Sequence, residues 1–277
     1  MEENVGKDFR KAQIKRDIAY INLQKEQGRL TSGEADYWKE KIGNLQEYQY
    51  GYHKGWSMIL DTLTWPVLIM MLICIGIAPI FAGEYQSKCD SLILCMKYGR
   101  SKLILAKIIS GWLYATGVYW GITLIYSSIY MIFLGTQGAD LPIQLKYPAM
   151  SVGYNLTMGE AVGITLLLGY FFTLGIMGIT LFMSALLKNT YAVIIVAFLL
   201  IIIPTFLSLD TGGYVWSHVL SLLPPKIADF SFQSYTAYSI GNIVLSWPVM
   251  AILVNAIVAV LCSVLGYIIF RKHQVNK

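Results

Sequence analysis

With 277 residues, 56% hydrophobic and only 13% charged side chains, and a mean hydropathy of +0.56, the chain excludes a soluble globular domain, whose surface needs more polar cover. The net charge of +5 is divided between a mixed N-terminal segment and the ends of apolar runs, which fits membrane topology and not nucleic-acid binding. Four cysteines and three scattered histidines carry no CxxC or Cys/His spacing, so neither a disulfide framework nor a metal site is expected.

Residues 1–55 are polar, with ten Lys or Arg against nine Asp or Glu. Ile14, Ile18 and Ile21 recur at helical spacing and predict an amphipathic helix from Asp8 to Gln27, closed by Gly28. Thr31 followed by Glu34 resembles a capping box and opens a second helix through Tyr37, Trp38, Ile42 and Leu45. The pair reads as a helical hairpin, and Met1 is followed by charged residues and not by the apolar core of a signal peptide.

Residues 56–277 read as the transmembrane part, and the fold class as an all-α integral membrane protein with five membrane helices in this chain. The spans are expected at about 61–83, 108–135, 161–187, 190–209 and 247–270. Between the first two lies a charged elbow, residues 84–107, in which Cys89, Leu92, Ile93 and Met96 share one face of a short helix, Cys89–Tyr98, with Asp90 and Lys97 at its rim. Gly99 is expected to end that helix in a left-handed conformation, with Ser101 as N-cap of the next. Pro224 and Pro225 break the segment before the last span into short re-entrant outer helices. Asn155-Leu156-Thr157 matches a glycosylation sequon and reads as a chance occurrence.

Orientation follows from basic residues. Lys88, Lys97, Arg100, Lys102, Lys107, Lys188, Arg271, Lys272 and Lys277 lie on one side, against only Lys146 and Lys226 on the other. Nine against two places the elbow and the C-terminus in the cytoplasm of a multi-pass cell-membrane protein of bacterial character. Trp56, Trp65 and Trp247 then fall near the outer interface. Five spans put the basic hairpin outside, which is awkward without a preceding span. An additional N-terminal span upstream is therefore expected, with a genuine five-span protein as the alternative.

Chemistry is not legible. No phosphate-binding loop, nucleophile elbow, metalloprotease pair or paired carboxylates occur, and Asp61, Glu160 and Lys188 stand at span ends. The lack of charge near a bilayer midplane counts against an ion-coupled secondary transporter. Small residues mark close helix approach: Gly117 and Gly121 in the second span, and Gly163, Gly175, Gly178 and Ser184 in the third. They serve either packing within the subunit or a dimer seam.

The elbow FAGEYQSKCDSLILCMKYGRSKLILAK resembles the first cytoplasmic loop of type-2 ABC exporter permeases. Glu84 matches that family's acidic residue, Arg100 the basic one after the short helix, and Lys107 the lysine where the next span begins; Lys88-Cys89 departs from its common Gly-Thr. The late LLPP segment resembles the family's pair of re-entrant outer helices. The resemblance implies a six-span permease subunit, here lacking its first span, that pairs with a second permease subunit in a homo- or heterodimer. It also implies cytoplasmic ABC ATPase subunits that hold ATP and Mg, with no cofactor in this chain, and membrane lipid as surroundings. Glu84, Tyr85, Asp90, Leu92, Ile93, Met96, Arg100 and Lys107 would form the coupling elbow, with Glu84 and Arg100 fixing it and Lys107 divided between that role and simple snorkelling. A rival of another class is a non-transporting membrane sensor or immunity subunit that binds a peptide through the outer hairpin.

Overall fold

The computed structural model describes residues 2–43, 50–62, 65–147, 152–209, 213–241 and 243–273; at 2–11, 13, 65 and 94 it describes the backbone alone. Helix α1 (Glu2–Glu26) ends where Gly28 takes φ +69°, a left-handed conformation that glycine adopts without steric penalty. Helix α2 (Ser32–Gly43) is opened by a reciprocal cap: Thr31 N donates to Glu34 Oε2 at 2.8 Å, and Glu34 N to Thr31 Oγ1 at 3.4 Å. Leu45, expected in this helix, lies outside the described residues.

The buried side of this hairpin is continuous with the bundle core. Ile21, Ala35, Trp38 and Ile42 pack with Tyr154, Phe232 and Tyr235. The Trp38 ring stands edge-on to Tyr154 at 5.0 Å and to Tyr235 at 5.4 Å, a geometry aromatic quadrupoles favour. Buried Glu34 also accepts from Tyr214 Oη at 2.7 Å. Burial and that carboxylate push the Tyr214 phenol up to about 12, so it stays a donor at neutral pH.

Asp17 is buried in α1, and burial pushes its carboxyl up to about 6 against the lowering effect of Arg16. Between its ordinary value and about 6 the folded state binds more protons than the unfolded state, so stability should fall as pH rises through that window and level off above it. Thermal unfolding from pH 4 to 7 should therefore show a decline that Asp17→Asn flattens.

The remaining helices are α3 (Lys54–Asp61), α4 (Trp65–Ile77), α5 (Pro79–Gln86), α6 (Asp90–Cys95), α7 (Lys102–Leu134), α8 (Met158–Leu186), α9 (Thr190–Phe206), α10 (Tyr214–Ser221) and α11 (Trp247–Lys272). Among the described residues four helices are long and apolar enough to cross a membrane: Pro66–Gln86, which joins α4 and α5, then α7, α8 and α11. Apolar α9 has 17 residues, about 25 Å at 1.5 Å per residue, which is short of a typical hydrocarbon layer. It packs beside α4 and α8, with Ala197 and Ile201 in the main core and Val193 against Ala78 and Ala82 at α5.

Helix α8 is central and α7 peripheral: 61% of the most apolar stretch of α8 is buried, against 11% of α7. Threonine and serine hydroxyls on these helices mostly return to their own helix carbonyls, but several tie helices together. Trp112 Nε1 donates to Ser263 Oγ at 3.1 Å, and Tyr119 Oη to the Leu166 carbonyl at 2.6 Å. Such bonds tighten a bundle that gains little from hydrophobic contact in lipid.

The first span differs from the single run expected over 61–83. Thr62 ends α3, and Pro79 interrupts the next helix because its ring nitrogen has no hydrogen to donate. The freed groups are satisfied from α8. Phe81 N and Ala82 N donate to Ser184 Oγ at 3.0 and 3.1 Å, and Ser184 Oγ donates to the Ala78 carbonyl at 2.7 Å. A small residue expected only to permit close approach is thus the side-chain cap of a helix in another part of the chain.

Of the expected packing glycines, two pack within this chain. A Cβ on Gly175 would sit 2.5 Å from Asn255 Oδ1, and one on Gly178 would sit 2.8 Å from the Ala259 backbone, so these positions let α8 and α11 touch. Gly117, Gly121 and Gly163 have nothing within 4 Å of such a Cβ among the described residues, and internal packing does not account for them. Gly178→Ala should therefore destabilise the chain by about 1–3 kcal/mol through overpacking. Gly117→Ala should be neutral or gain up to about 1 kcal/mol of helix propensity. Reversible unfolding in mixed micelles measures both.

The segment between α9 and α11 is not wholly helical. After α10 and a 3-10 turn, Pro224–Asp229, strands β1 (Ala237–Ile240) and β2 (Ile243–Ser246) pair antiparallel, with Gly241 at φ +61° in the turn. Trp247 Nε1 bonds the Ser221 carbonyl at 3.2 Å, and Asn255 Nδ2 the Leu222 carbonyl at 3.2 Å, holding α10 to α11. The Trp247 ring, at the start of α11, is buried and stacked on Phe230 at 4.4 Å. Trp56 bonds the Thr136 carbonyl at 3.0 Å, while the Trp65 side chain lies outside the described residues. Thr157, part of the sequon, caps α8 in a full capping box with Glu160.

Lys146 and Lys226, the lysines of the two loops that precede α8 and α11, both have buried side chains. Lys146 reaches the Ser57 carbonyl at 2.9 Å and pairs with Asp61. Lys226 reaches the Leu207 carbonyl at 2.5 Å and Asp229 at 2.5 Å. Leu207 is the C-cap of α9, so the Lys226 cation satisfies a carbonyl that this helix end leaves open and meets the negative end of its dipole.

Candidate functional site

The elbow is built where four helices end. Its helix is shorter than the Cys89–Tyr98 segment expected: α6 spans six residues, bounded by Lys88 at φ 56° and by extended Met96. Gly99 is not left-handed. Its role is close approach, since a Cβ there would lie 1.7 Å from the Ile93 carbonyl oxygen. Ser101 does occupy the N-cap position of α7 but makes no side-chain cap bond.

Glu84 and Tyr85 lie in the last turns of α5, and Lys107 in the second turn of α7, so these residues belong to helices and not to a loop. Lys107 Nζ pairs with Glu84 Oε1 and also donates to the Ile80 carbonyl at 2.9 Å. The pair is largely buried, with 23% of the lysine and 14% of the glutamate side chain exposed. Lys107 therefore holds α5 against α7 and does not simply snorkel. Tyr85 Oη donates to the Ala185 carbonyl of α8 at 3.2 Å, and its ring lies 5.4 Å from Phe270 and 4.7 Å from His273 at the end of α11. Asp90, buried at the start of α6, faces His273 Nε2 at 3.3 Å. That contact is an ion pair when the imidazole is protonated.

Three contacts thus clamp the base of the elbow to α7, α8 and α11. Its outer side is uncovered: Leu92 is 71% exposed, Met96 55% and Tyr98 50%, while Ile93 is partly buried. Lys97 and Lys102 flank the Tyr98 ring at 5.4 and 4.7 Å, so the apolar patch carries a basic edge. Arg100 is exposed at the far end of the turn. The structure brings together Glu84, Tyr85, Asp90 and Lys107. It leaves Leu92, Met96 and Arg100 facing outward, and places Gly117, Gly121, Gly175 and Gly178 away from the elbow.

Sequence reasoning missed His273 and the bonding role of Ser184. Counting odd and even spans puts the end of the last span on the elbow side, the one signal that could have pointed to His273. Nothing in local sequence pairs Ser184 with Pro79, which lies 105 positions earlier. Among the described residues no three His, Cys, Asp or Glu side chains converge as metal ligands would.

No curated protein and no solved structure matches the chain. A family profile does, over residues 37–275, which begins within α2 and takes in every later helix. The chain belongs to the family described as Protein of unknown function (DUF2705).

Proposed function

We propose that the chain is the permease subunit of an ATP-driven exporter, moving an amphipathic or peptide-like cargo across the cell membrane with separate ATPase subunits. The observation that carries this reading is the elbow itself: an exposed apolar face with a basic edge, mounted on a base clamped to three long helices. A surface of that kind can receive force from a cytoplasmic partner and pass it to the spans. The resemblance of the elbow to type-2 ABC permeases names the partner as an ABC ATPase holding ATP and Mg, and a second permease subunit as the other half. In this reading α9 is the fourth of five spans, the C-terminus is cytoplasmic, and the hairpin lies outside. Burial and pairing of Lys146 and Lys226 support that orientation, since neither outer lysine remains a solvated charge.

The test is co-purification of an ATPase and cargo-stimulated hydrolysis in vesicles. Leu92→Glu with Met96→Glu, two changes at exposed positions, should weaken ATPase association at least tenfold while unfolding is unchanged. Association equal to wild type would overturn the docking assignment. One observation favours the sensor or immunity reading instead. A cavity of about 220 Å³ between the hairpin and the outer segment is lined by Tyr20, Gln24, Arg29, His218 and Ser234, and is polar enough for part of a peptide. Peptide binding with no vectorial transport would favour it.

A further inference from the structure

A groove of about 430 Å³ lies between α4–α5 and the first half of α7, within the size range of small-ligand sites. Its walls are antiparallel helical faces of matching length, with Gly76, Ile80 and Gly83 on one side and Lys107, Gly111 and Tyr114 on the other. Eight residues separate Gly76 from Glu84, so the groove extends about 12 Å along the helices from the elbow. Tyr114 packs on Gly76, where a Cβ would lie 2.4 Å from its Oη, and closes the end of the groove far from the elbow. Its mouth lies at the molecular surface, where the lining residues Gly76, Pro79 and Ser110 are exposed. In a membrane that mouth opens onto acyl chains, which fill apolar grooves that water does not.

The elbow end of the groove is polar. Lys107 spends two of its three N–H donors, on Glu84 Oε1 and the Ile80 carbonyl. Glu84 Oε2 is buried and has no hydrogen-bond partner. One cationic donor and one anionic acceptor therefore remain side by side at the head of an apolar channel. The complement of that arrangement is a zwitterion on a hydrocarbon tail. An anionic glycerol headgroup offers a carboxylate only neutral hydroxyl donors, weaker than the charge-assisted bond of an ammonium, and a trimethylated one has no N–H.

We propose that this groove holds one acyl chain of a membrane phospholipid bearing a primary ammonium, which donates to Glu84 Oε2 while the lipid phosphate accepts from Lys107. The assignment rests on the chain being membrane-embedded and not on its transporting anything. The experiment takes the full chain, purified and delipidated in detergent, and offers it equal amounts of phosphatidylethanolamine, phosphatidylcholine and phosphatidylglycerol with identical tails. Native mass spectrometry then counts retained lipid.

One phosphatidylethanolamine per chain, at least tenfold over either competitor, is expected. Ser110→Trp, at an exposed position lining the groove, should lower retention at least tenfold. Glu84→Gln keeps an acceptor for Lys107 and should retain lipid while losing the preference for ethanolamine over choline. Wild-type retention in Ser110→Trp, an unchanged preference in Glu84→Gln, or equal retention of the three lipids by the wild type would each overturn the proposal.

Discussion

Ser184→Ala is expected to cost about 2–4 kcal/mol, because one hydroxyl serves three backbone groups around Pro79 and each unpaired group in an apolar core costs about 1 kcal/mol or more. Phe81 N and Ala82 N would lose their acceptor, and the Ala78 carbonyl its donor. Equilibrium unfolding in mixed micelles gives the loss, and hydrogen exchange at Phe81 and Ala82 gives its location. Exchange at both amides should accelerate in the variant. A change below about 0.5 kcal/mol with unaltered exchange would mean that the kink is held by packing alone. The consequence reaches the elbow, since α5 carries Glu84 and Tyr85 and its angle to α4 is set at this joint.

Glu84→Lys should be more damaging still for function. It places two cations together in a largely buried site, and breaking a buried pair costs about 3–5 kcal/mol. In the exporter reading, cargo-stimulated ATP hydrolysis should fall more than tenfold while hydrolysis by the isolated ATPase is untouched. Exchanging the two charges, Glu84→Lys with Lys107→Glu, should restore stability only in part. The Ile80 carbonyl, which accepts from Lys107 in the wild type, would then face a carboxylate. Full activity in the single variant would remove the pair from any coupling role.

Much of the fold is readable along the chain. Spans are legible because lipid demands about 20 successive apolar residues, a requirement written locally. Caps are equally local: Thr31 with Glu34, and Gly28 after α1, act over three or four positions. Boundaries within the elbow were less legible. A helical-face argument carried the helix from Cys89 to Tyr98, but Lys88 and Met96 adopt conformations that stop it at six residues. Gly99 was assigned to a left-handed cap, the commonest reason for glycine after a helix, when the actual reason is its distance to the Ile93 carbonyl. The β-hairpin at 237–246 was missed because its strands are four residues each and sit against an apolar span.

The sequence by itself determined that this is a helical membrane protein with a charged elbow between its first two long helices and a capped hairpin in front of them. Those features depend on composition, periodicity and capping, all of which act over short stretches of chain. Only the tertiary structure decided that Glu84 meets Lys107 and Asp90 meets His273, that Ser184 repairs the break at Pro79, and that Gly175 and Gly178 pack inside while Gly117 and Gly121 do not. Each depends on which faces of distant helices turn toward one another. In a bilayer nearly every face is apolar, so the hydrophobic pattern that reveals the inward side of a soluble helix is absent.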